Sequence, residues 1–230
     1  MNVLEVKNLQ KSFDGKKIID DVSFGIEQGK IVGLLGKNGS GKTTIIKMIN
    51  DLLTPDAGEI TVCGNKIGPK TKSIVSFLPE RTYLESYETV GKVFDFFEDF
   101  YPDFDRQRAE VLLKDLDLAE EDSLSKMSKG MKEKVQLILV MSRKATLYVL
   151  DEPLGGVDPS TRDYIMQTIL SNFGEKSSLL ITTHLVTDIE KILDKVIFID
   201  KGKIVLDEDA EKLREETNLS IEQVFRREIK

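Results

Sequence analysis

Cysteine and histidine are almost missing from this sequence of 230 residues. It contains one cysteine, Cys63, one histidine, His184, and no tryptophan. A single cysteine excludes an internal disulfide, and together with one histidine it cannot form a zinc cluster. We therefore interpret Cys63 as a small buried apolar residue.

Long hydrophobic runs are missing as well. The longest apolar stretches, such as 31–35 and 147–150, are far below the roughly 18 residues that a membrane-spanning helix needs. The first residues also lack the basic and then apolar order of a signal peptide. We expect the chain to stay in the cytoplasm and to reach any membrane through a partner.

Excess positive charge is the third feature that the sequence lacks. Lysine and arginine total 33 against 40 aspartate and glutamate residues, which gives a net charge of −7. Non-specific binding to nucleic acid needs a basic surface, so we expect no nucleic-acid partner.

The apolar patterning predicts an α/β fold with a mainly parallel sheet and an antiparallel β portion at the N-terminus. Alternation over Val3–Asn8 indicates a strand, and the segment 14–17 is typical of a hairpin turn. Strands and helices alternate in the last third of the chain, as they do in parallel sheets. The predicted buried strands are 31–35, 147–150 and 179–182, and the predicted helices between and around them are 43–53 and 161–170.

Residues 88–144 have a mainly helical pattern, with breaks at Pro102 and around 123–128. This predicts a helical subdomain, inserted at about 80–142 into a domain that spans 1–208. The charged residues 209–230 are predicted to form a peripheral helical tail.

A glycine-rich loop follows the first buried strand. Residues 36–43 read Gly-Lys-Asn-Gly-Ser-Gly-Lys-Thr and fit the phosphate-loop pattern G-x-x-x-x-G-K-[ST]. Glycines let backbone N–H groups curl around phosphates, and the helix that follows directs the positive end of its dipole at them. Lys42 can reach the β and γ phosphates, and Thr43 can offer its hydroxyl to Mg²⁺. The loop therefore predicts a nucleotide site.

Two acidic residues, Asp151 and Glu152, end the buried strand that starts at Leu147. Ligands of open α/β sheets bind beyond the carboxyl ends of the strands. We expect Asp151 to face the Mg²⁺ region and Glu152 to polarise the water that attacks the γ phosphate. Without the phosphate loop, two solvated acids at a strand end would be the simpler interpretation.

These motifs together resemble the nucleotide-binding domain of ABC transporters. The glycine-rich loop resembles Walker A, and the segment 147–152 resembles Walker B with its catalytic glutamate. Residues 127–131 resemble the signature loop, 156–159 the D-loop, and His184 the switch histidine. The resemblance implies a P-loop NTPase fold, ATP and Mg²⁺ as cofactors, and Glu152 and His184 as catalytic residues. The implied nucleotide contacts are Phe13, Gly36, Lys37, Asn38, Gly39, Ser40, Gly41, Lys42, Thr43, Thr44, Ser128, Gly130 and Asp158, and the implied metal ligands are Thr43, Glu80 and Asp151.

The sequence departs from this family's pattern in two places. Lys129 and Met131 stand where the signature loop has Gly and Gln, although Ser128 and Gly130 are kept. This variant resembles a branch that serves bacterial drug and lantibiotic exporters. Glu80 replaces the Q-loop glutamine, and its carboxylate can still hold Mg²⁺ directly or through water.

Several of these residues also have a simpler structural interpretation. His184 can be a polar residue at a strand end, Phe13 a core aromatic, and Ser128 a helix N-cap. Positions 90, 94, 97, 101 and 104 form one helical stripe that is typical of core. Phe96 and Phe100 lie off this stripe, so they can remain exposed and dock a helix of a membrane subunit.

The resemblance implies an ATP-hydrolysing subunit of a membrane transporter, at the cytoplasmic face of the membrane and bound to a polytopic membrane subunit. A second ATP-binding subunit, identical or related, would cover the ATP with its own Ser128 and Gly130. An ATPase that acts on ribosomes or DNA, a regulatory module with little turnover, and a small-molecule kinase are the alternatives.

Overall fold

The computed structural model describes residues 2–84, 87–155, 159–173 and 176–229. In these ranges ten strands form two sheets, and nine α-helices surround them. The strands are β1 (Asn2–Phe13), β2 (Lys16–Glu27), β3 (Ile31–Leu35), β4 (Ala57–Val62), β5 (Asn65–Lys66), β6 (Val75–Leu78), β7 (Leu147–Asp151), β8 (Ser178–Thr183), β9 (Lys195–Asp200) and β10 (Lys203–Asp209). The helices are α1 (Lys42–Ile49), α2 (Pro69–Lys72), α3 (Val90–Phe100), α4 (Arg106–Asp115), α5 (Lys129–Met141), α6 (Pro159–Asn172), α7 (Val186–Ile189), α8 (Ala210–Thr217) and α9 (Ile221–Glu228).

The larger sheet has the strand order β10-β9-β3-β8-β7-β6, and only the pair β9–β10 is antiparallel. Strands β3, β7 and β8 are buried along their whole length, which explains their unbroken apolar runs. Leu35 pairs with Thr183, and Asp151 pairs with Thr182. The residues that follow these three strands therefore meet at one edge of the sheet.

The N-terminal antiparallel portion is a separate sheet with the order β2-β1-β4-β5. The predicted hairpin turn is confirmed. Asp14 and Gly15 join β1 to β2 with φ angles of 48° and 76°, which is the left-handed geometry that a two-residue hairpin loop requires. This tight turn leaves Phe13 at the tip of β1.

Helices α3, α4 and α5 enclose a hydrophobic core of their own. Val90, Phe94 and Phe97 of α3 are buried in it, as the helical stripe predicts. Phe96 and Phe100 lie off the stripe and are 37% and 66% exposed. The insertion therefore has one apolar face for its own core and two aromatic rings at the surface.

Helices α8 and α9 pack against the same core as the larger sheet. Ala210, Leu213, Ile221 and Val224 are all buried there. The division into a domain over 1–208, a helical insertion at about 80–142 and a tail over 209–230 stays a prediction.

Two local expectations are wrong. Helix α1 ends at Ile49 instead of Leu53, because Asp51 adopts a φ of 58° and a Schellman motif closes the helix. In that motif the Leu52 N–H donates to the Lys47 carbonyl at 2.8 Å. Cys63 is only partly buried, since it lies in the turn between β4 and β5 with a φ of 48°.

Candidate functional site

The loop between β3 and α1 requires glycine for steric reasons. A Cβ atom on Gly36 would lie 2.5 Å from the Ile199 carbonyl oxygen. Gly41 has a φ of 112°, and a Cβ there would lie 2.5 Å from Cδ1 of Ile19. Gly39 faces open space, and Gly41 caps α1 without any side-chain hydrogen bond. The first N–H groups of α1 are therefore available to an anion.

The Lys42 side chain lies under this loop and is 6% exposed. Its Nζ donates to the carbonyl of Gly36 at 2.7 Å and to that of Lys37 at 3.3 Å. Burial lowers the pKa of Lys42, and the carboxylates of Glu152, Asp151 and Glu80 oppose that shift. Nζ also lies 3.9 Å from Oε1 of Glu152. A cation in such surroundings is suited to a multiply charged anion.

Ser40 is a second sign that the loop fits a ligand. Its side chain is 4% exposed, and its Oγ has no hydrogen-bond partner within the described residues. Buried hydroxyls are nearly always paired in native proteins. The unpaired oxygen, the open space at Gly39 and the buried ammonium of Lys42 together fit the phosphates of a nucleotide.

Asp151 ends β7 and is 2% exposed. Its Oδ1 accepts a hydrogen bond from Oγ1 of Thr182 at 2.6 Å. Burial raises the pKa of Asp151, bonds from Thr182 and Thr43 oppose the shift, and the charges of Glu80 and Glu152 reinforce it. A buried carboxylate with acidic neighbours favours a cation beside it.

The buried carboxylate of Asp151 and its acidic neighbours fit Mg²⁺ in particular. Across the described ranges, no three His, Cys, Asp or Glu side chains are close enough to hold a metal ion by themselves. Mg²⁺ does not need such a cage, because it is usually held by one or two carboxylates together with phosphate oxygens and water. Asp151, Thr43 and Glu80 would be its protein ligands.

The buried charge of Asp151 should lower the stability of the nucleotide-free protein. We expect Asp151→Asn to raise the melting temperature by about 2–4 °C at neutral pH, which corresponds to roughly 1 kcal/mol for a chain of this size. The measurement is thermal unfolding in EDTA without nucleotide. Asp99→Asn, which changes an exposed acid on α3, should have almost no effect.

The pH dependence of this gain follows from the raised pKa of Asp151. Above the folded-state pKa the wild-type carboxylate is charged, and its burial then lowers the stability of the folded protein by the full amount. As the pH falls through that pKa, the folded protein takes up a proton before the unfolded chain does, so the advantage of the Asn variant shrinks. Below the ordinary pKa of aspartate the difference in melting temperature between the variant and the wild type should vanish. A lower melting temperature for Asp151→Asn, or a gain that does not change with pH, would contradict this account.

Glu152 follows Asp151 directly and makes contact with His184. Its Oε2 lies 2.9 Å from Nδ1 of His184 and accepts the His184 backbone N–H at 3.3 Å. Its own N–H donates to the Thr182 carbonyl at 3.0 Å. Glu152 has a φ of 52°, which is rare for a residue with a side chain. Such strain persists where the surrounding structure holds it, and it is concentrated at functional sites.

A cavity of about 1120 Å³ joins these groups. Phe13 lines it on one side and is 45% exposed. The predicted site residues that line the cavity are Phe13, Asn38, Gly39, Gly41, Lys42, Thr43, Thr44, Glu80, Asp151, Glu152 and His184.

Other predicted site residues do not line this cavity. Gly36 and Ser40 are buried in the loop, and the Lys37 side chain is exposed. Ser128 is an exposed N-cap of α5 and accepts a hydrogen bond from the Met131 N–H at 3.3 Å. Gly130 lies in the first turn of the same helix. Asp158 lies outside the described residues.

Sequence reasoning missed several residues at this site, among them three on α5 and one on β8. Lys129, Lys132 and Gln136 project into the cavity from α5, and Thr182 of β8 holds Asp151. The helical spacing of the three α5 residues indicated a common face, but nothing in the sequence indicated that this face lies opposite the glycine-rich loop. The position of Thr182 beside Asp151 depends on the register between β7 and β8.

Comparison with known proteins now identifies the family. Residues 19–155, which are more than half of the chain, match the family described as ABC transporter. The chain belongs to the ABC transporter family. The ABC transporter ATP-binding protein YtrB of Bacillus subtilis (strain 168) is 33% identical over 217 residues, which cover 93% of this chain and 74% of that protein. The SkfA peptide export ATP-binding protein SkfE of the same organism is 30% identical over 213 residues, with 90% and 89% covered.

A solved structure supports the same assignment at the level of the fold. The ATP-binding subunit of an ABC transporter superposes on this chain with a TM-score of 0.90, at 25% identity and over 98% of both chains. The predicted α/β P-loop fold is confirmed, and so is the prediction of an ATP-binding, ATP-hydrolysing subunit of the ABC transporter class. This assignment is favoured over the alternative of an ATPase that acts on ribosomes or DNA. None of the helices in the described ranges combines the length and apolar character needed to cross a bilayer.

Proposed function

We propose that this ABC-family subunit binds ATP on the loop 36–44 and hydrolyses it with Glu152 as the base for water. The observation that carries the proposal is the position of the Glu152 carboxylate. It lies between Nδ1 of His184, at 2.9 Å, and Nζ of Lys42, at 3.9 Å. Lys42 would bind the terminal phosphates, and Glu152 would then be beside the water that attacks. His184 would hold the carboxylate in place and contact the γ phosphate.

Mg²⁺ belongs to the same proposal. Thr43, Asp151 and Glu80 are the ligands that the chain offers, and Thr182 orients the Asp151 carboxylate by its hydrogen bond of 2.6 Å. A bound Mg²⁺ would neutralise charge on the phosphates. Phe13, with its ring exposed at the cavity edge, would stack on the adenine base.

A second ATP-binding subunit completes the proposed site. Ser128 and Gly130 do not line the cavity of their own chain, and Ser128 is exposed at the N-terminus of α5. That helix has 13 residues, so its N-terminus can stabilise an anion. We propose that these two residues, with Asp158, contact ATP held by another copy or by a related chain. ATP would then be part of the interface, so that binding closes the dimer and hydrolysis opens it.

Gly130 allows a direct test of this dimer. A Cβ on Gly130 would have no atom within 4 Å in the single chain, so Gly130→Val should fold normally and keep its affinity for ATP. An added side chain in a packed interface typically costs about 1–3 kcal/mol, which corresponds to roughly a 5- to 150-fold weaker dimer. The measurement is gel filtration in Mg-ATP, in a Glu152→Gln background that should retain the nucleotide.

The matched control for this test is Gly68→Val. A Cβ on Gly68 likewise has no atom within 4 Å, but Gly68 precedes the short helix α2, away from the cavity. This variant should dimerise like its parent. An unchanged ATP-dependent dimer in Gly130→Val would contradict the placement of Gly130 at the interface.

A membrane subunit is the other partner in the proposal. A second cavity of about 610 Å³ is lined by residues of α3, of β6 and of the segments that follow α1 and β6, and Phe96, Tyr87 and Leu52 are among them. Phe100 stacks on Phe96 with 4.3 Å between the ring centroids, and both rings are exposed. Adjacent exposed aromatic rings beside an apolar cavity favour docking of an amphipathic helix. We propose that a polytopic membrane subunit docks here and holds the protein at the cytoplasmic face of the membrane.

Export is the proposed direction of transport. It rests on the similarity to SkfE, whose name refers to peptide export, and on the Ser-Lys-Gly-Met form of the signature loop. The net charge of −7 favours these protein partners over nucleic acid.

A further inference from the structure

Asp56, in the loop between α1 and β4, ties that loop to the end of β1. Its backbone N–H donates to the Gln10 carbonyl at 2.9 Å. Its Oδ2 accepts the Ser12 backbone N–H at 2.6 Å, and its Oδ1 accepts Nζ of Lys11 at 2.7 Å. One residue therefore makes three contacts with the three residues that directly precede Phe13.

Lys11 connects this cluster to the aromatic ring. Its Nζ lies over the Phe13 ring, 5.5 Å from the centroid, within the range of a cation–π contact. The Lys11 side chain is only 14% exposed, although it is a lysine at the end of a strand. Asp56 thus keeps the ammonium over one face of the Phe13 ring. The Phe13 ring lines the edge of the cavity, where a planar ligand can stack on it.

Phe13 lies between the residues that Asp56 contacts and the hairpin turn. The hairpin residues Asp14 and Gly15 follow directly, and the Phe13 side chain is 45% exposed. A half-exposed ring has few packing partners to hold its orientation. The pair Lys11–Asp56 by itself would be worth little at the surface. The bond from a carboxylate to the Ser12 backbone N–H is charge-assisted, however, and it restrains the main chain itself.

We propose that Asp56 is a positioning residue for base recognition: through Lys11 and Ser12 it orients the Phe13 ring for stacking on adenine. This inference rests on the proposed function, in which Phe13 stacks on the base. The bonds from Lys11 and from the Ser12 backbone also lower the pKa of Asp56, so the carboxylate is charged at neutral pH. Asp56 acts at the far end of the nucleotide from the phosphates, and its removal should weaken recognition of the base alone.

The experiment compares a ligand that has a base with one that has none. Binding of a non-hydrolysable ATP analogue and of inorganic triphosphate is measured by calorimetry on the full chain with Mg²⁺. For Asp56→Ala we expect about a 5-fold loss of affinity for the ATP analogue, a size typical of one lost charge-assisted or cation–π contact. Affinity for inorganic triphosphate should be unchanged. Asp56→Asn, which keeps the shape of the side chain, should show a smaller loss of the same kind.

Asp51→Asn is the matched control. Asp51 lies in the same loop as Asp56, and its exposed carboxylate pairs with Lys72 at 2.7 Å. Asparagine tolerates the φ of 58° at this position, so both affinities should stay at the wild-type value. Equal losses for the analogue and for inorganic triphosphate in Asp56→Ala would overturn the inference. They would mean that Asp56 supports the phosphate loop and not the ring.

A double variant separates this inference from the proposed function. In a Phe13→Ala background, Asp56→Ala should cause no further loss, since there is no ring left to orient. If Phe13→Ala weakens binding of the ATP analogue but Asp56→Ala does not, the positioning role of Asp56 is wrong and the stacking role of Phe13 stands. If Phe13→Ala has no effect, adenine stacking itself is wrong, and this inference fails with it.

Discussion

Glu152→Gln is expected to lower the rate of ATP hydrolysis at least about 100-fold, the usual contribution of a general base, while ATP still binds. Glutamine has the same shape and can keep a hydrogen bond to His184, whose Nδ1 lies 2.9 Å from the Glu152 carboxylate. It cannot take a proton from water. The site would therefore fill with ATP, close against the second subunit and fail to reopen.

Two measurements check this prediction. Phosphate release in Mg-ATP reports the rate, and gel filtration in the same buffer reports a trapped dimer. Glu133→Gln is the matched control, because Glu133 also lines the cavity but pairs with Lys129, at 3.6 Å. It should stay within a few-fold of the wild-type rate. Wild-type hydrolysis in Glu152→Gln would show that Glu152 is not the base.

Lys42→Ala is expected to weaken ATP binding about 10- to 100-fold, because hydrogen bonds to charged groups contribute roughly 1.5–3 kcal/mol. The loss should be large here for a further reason. The ammonium is 6% exposed, and Glu152, Asp151 and Glu80 act on it electrostatically. Without it, three carboxylates would face the phosphates with no buried cation between them.

Titration with ATP measures the effect, and two further variants locate its cause. Lys42→Met keeps most of the apolar stem, so an equal loss would assign the effect to the charge. Lys47→Ala removes an exposed lysine further along α1 and should leave ATP affinity unchanged. Unaltered ATP binding in Lys42→Ala would contradict the proposed role of the glycine-rich loop.

Local patterns predicted those parts of the molecule that depend on neighbouring residues. The loop 36–43 is contiguous, and Gly39 and Gly41 adopt φ angles of 80° and 112°, which glycine adopts without strain. The hairpin at Asp14 and Gly15 and the buried strand β7 are likewise set by short-range geometry. Predictions of this kind need only the backbone conformation that a few adjacent residues allow.

Contacts between distant segments could not be predicted in this way. The bonds of Thr182 to Asp151 and of Asp56 to residues 10–12 join positions 31 and 44–46 apart in the chain, and strand register and loop packing decide them. The early end of α1 is a local feature, but the apolar spacing does not reveal it, because it depends on the left-handed conformation of Asp51. The roles of the site residues stay predictions that the variants above can test.

The sequence by itself determined the class of this protein, because the phosphate loop, the acidic strand end and the order of the motifs are properties of contiguous residues and their spacing. Tertiary structure alone decided which side chains share the cavity and which partners hold them in place. Contacts between segments far apart in the chain bury Lys42 and Asp151. They also include the contact between His184 and Glu152 and the hydrogen bonds between Asp56 and β1. The physical reason is that hydrogen bonding and desolvation depend on distances in space. These distances are set by folding and cannot be read from the order of residues in the sequence.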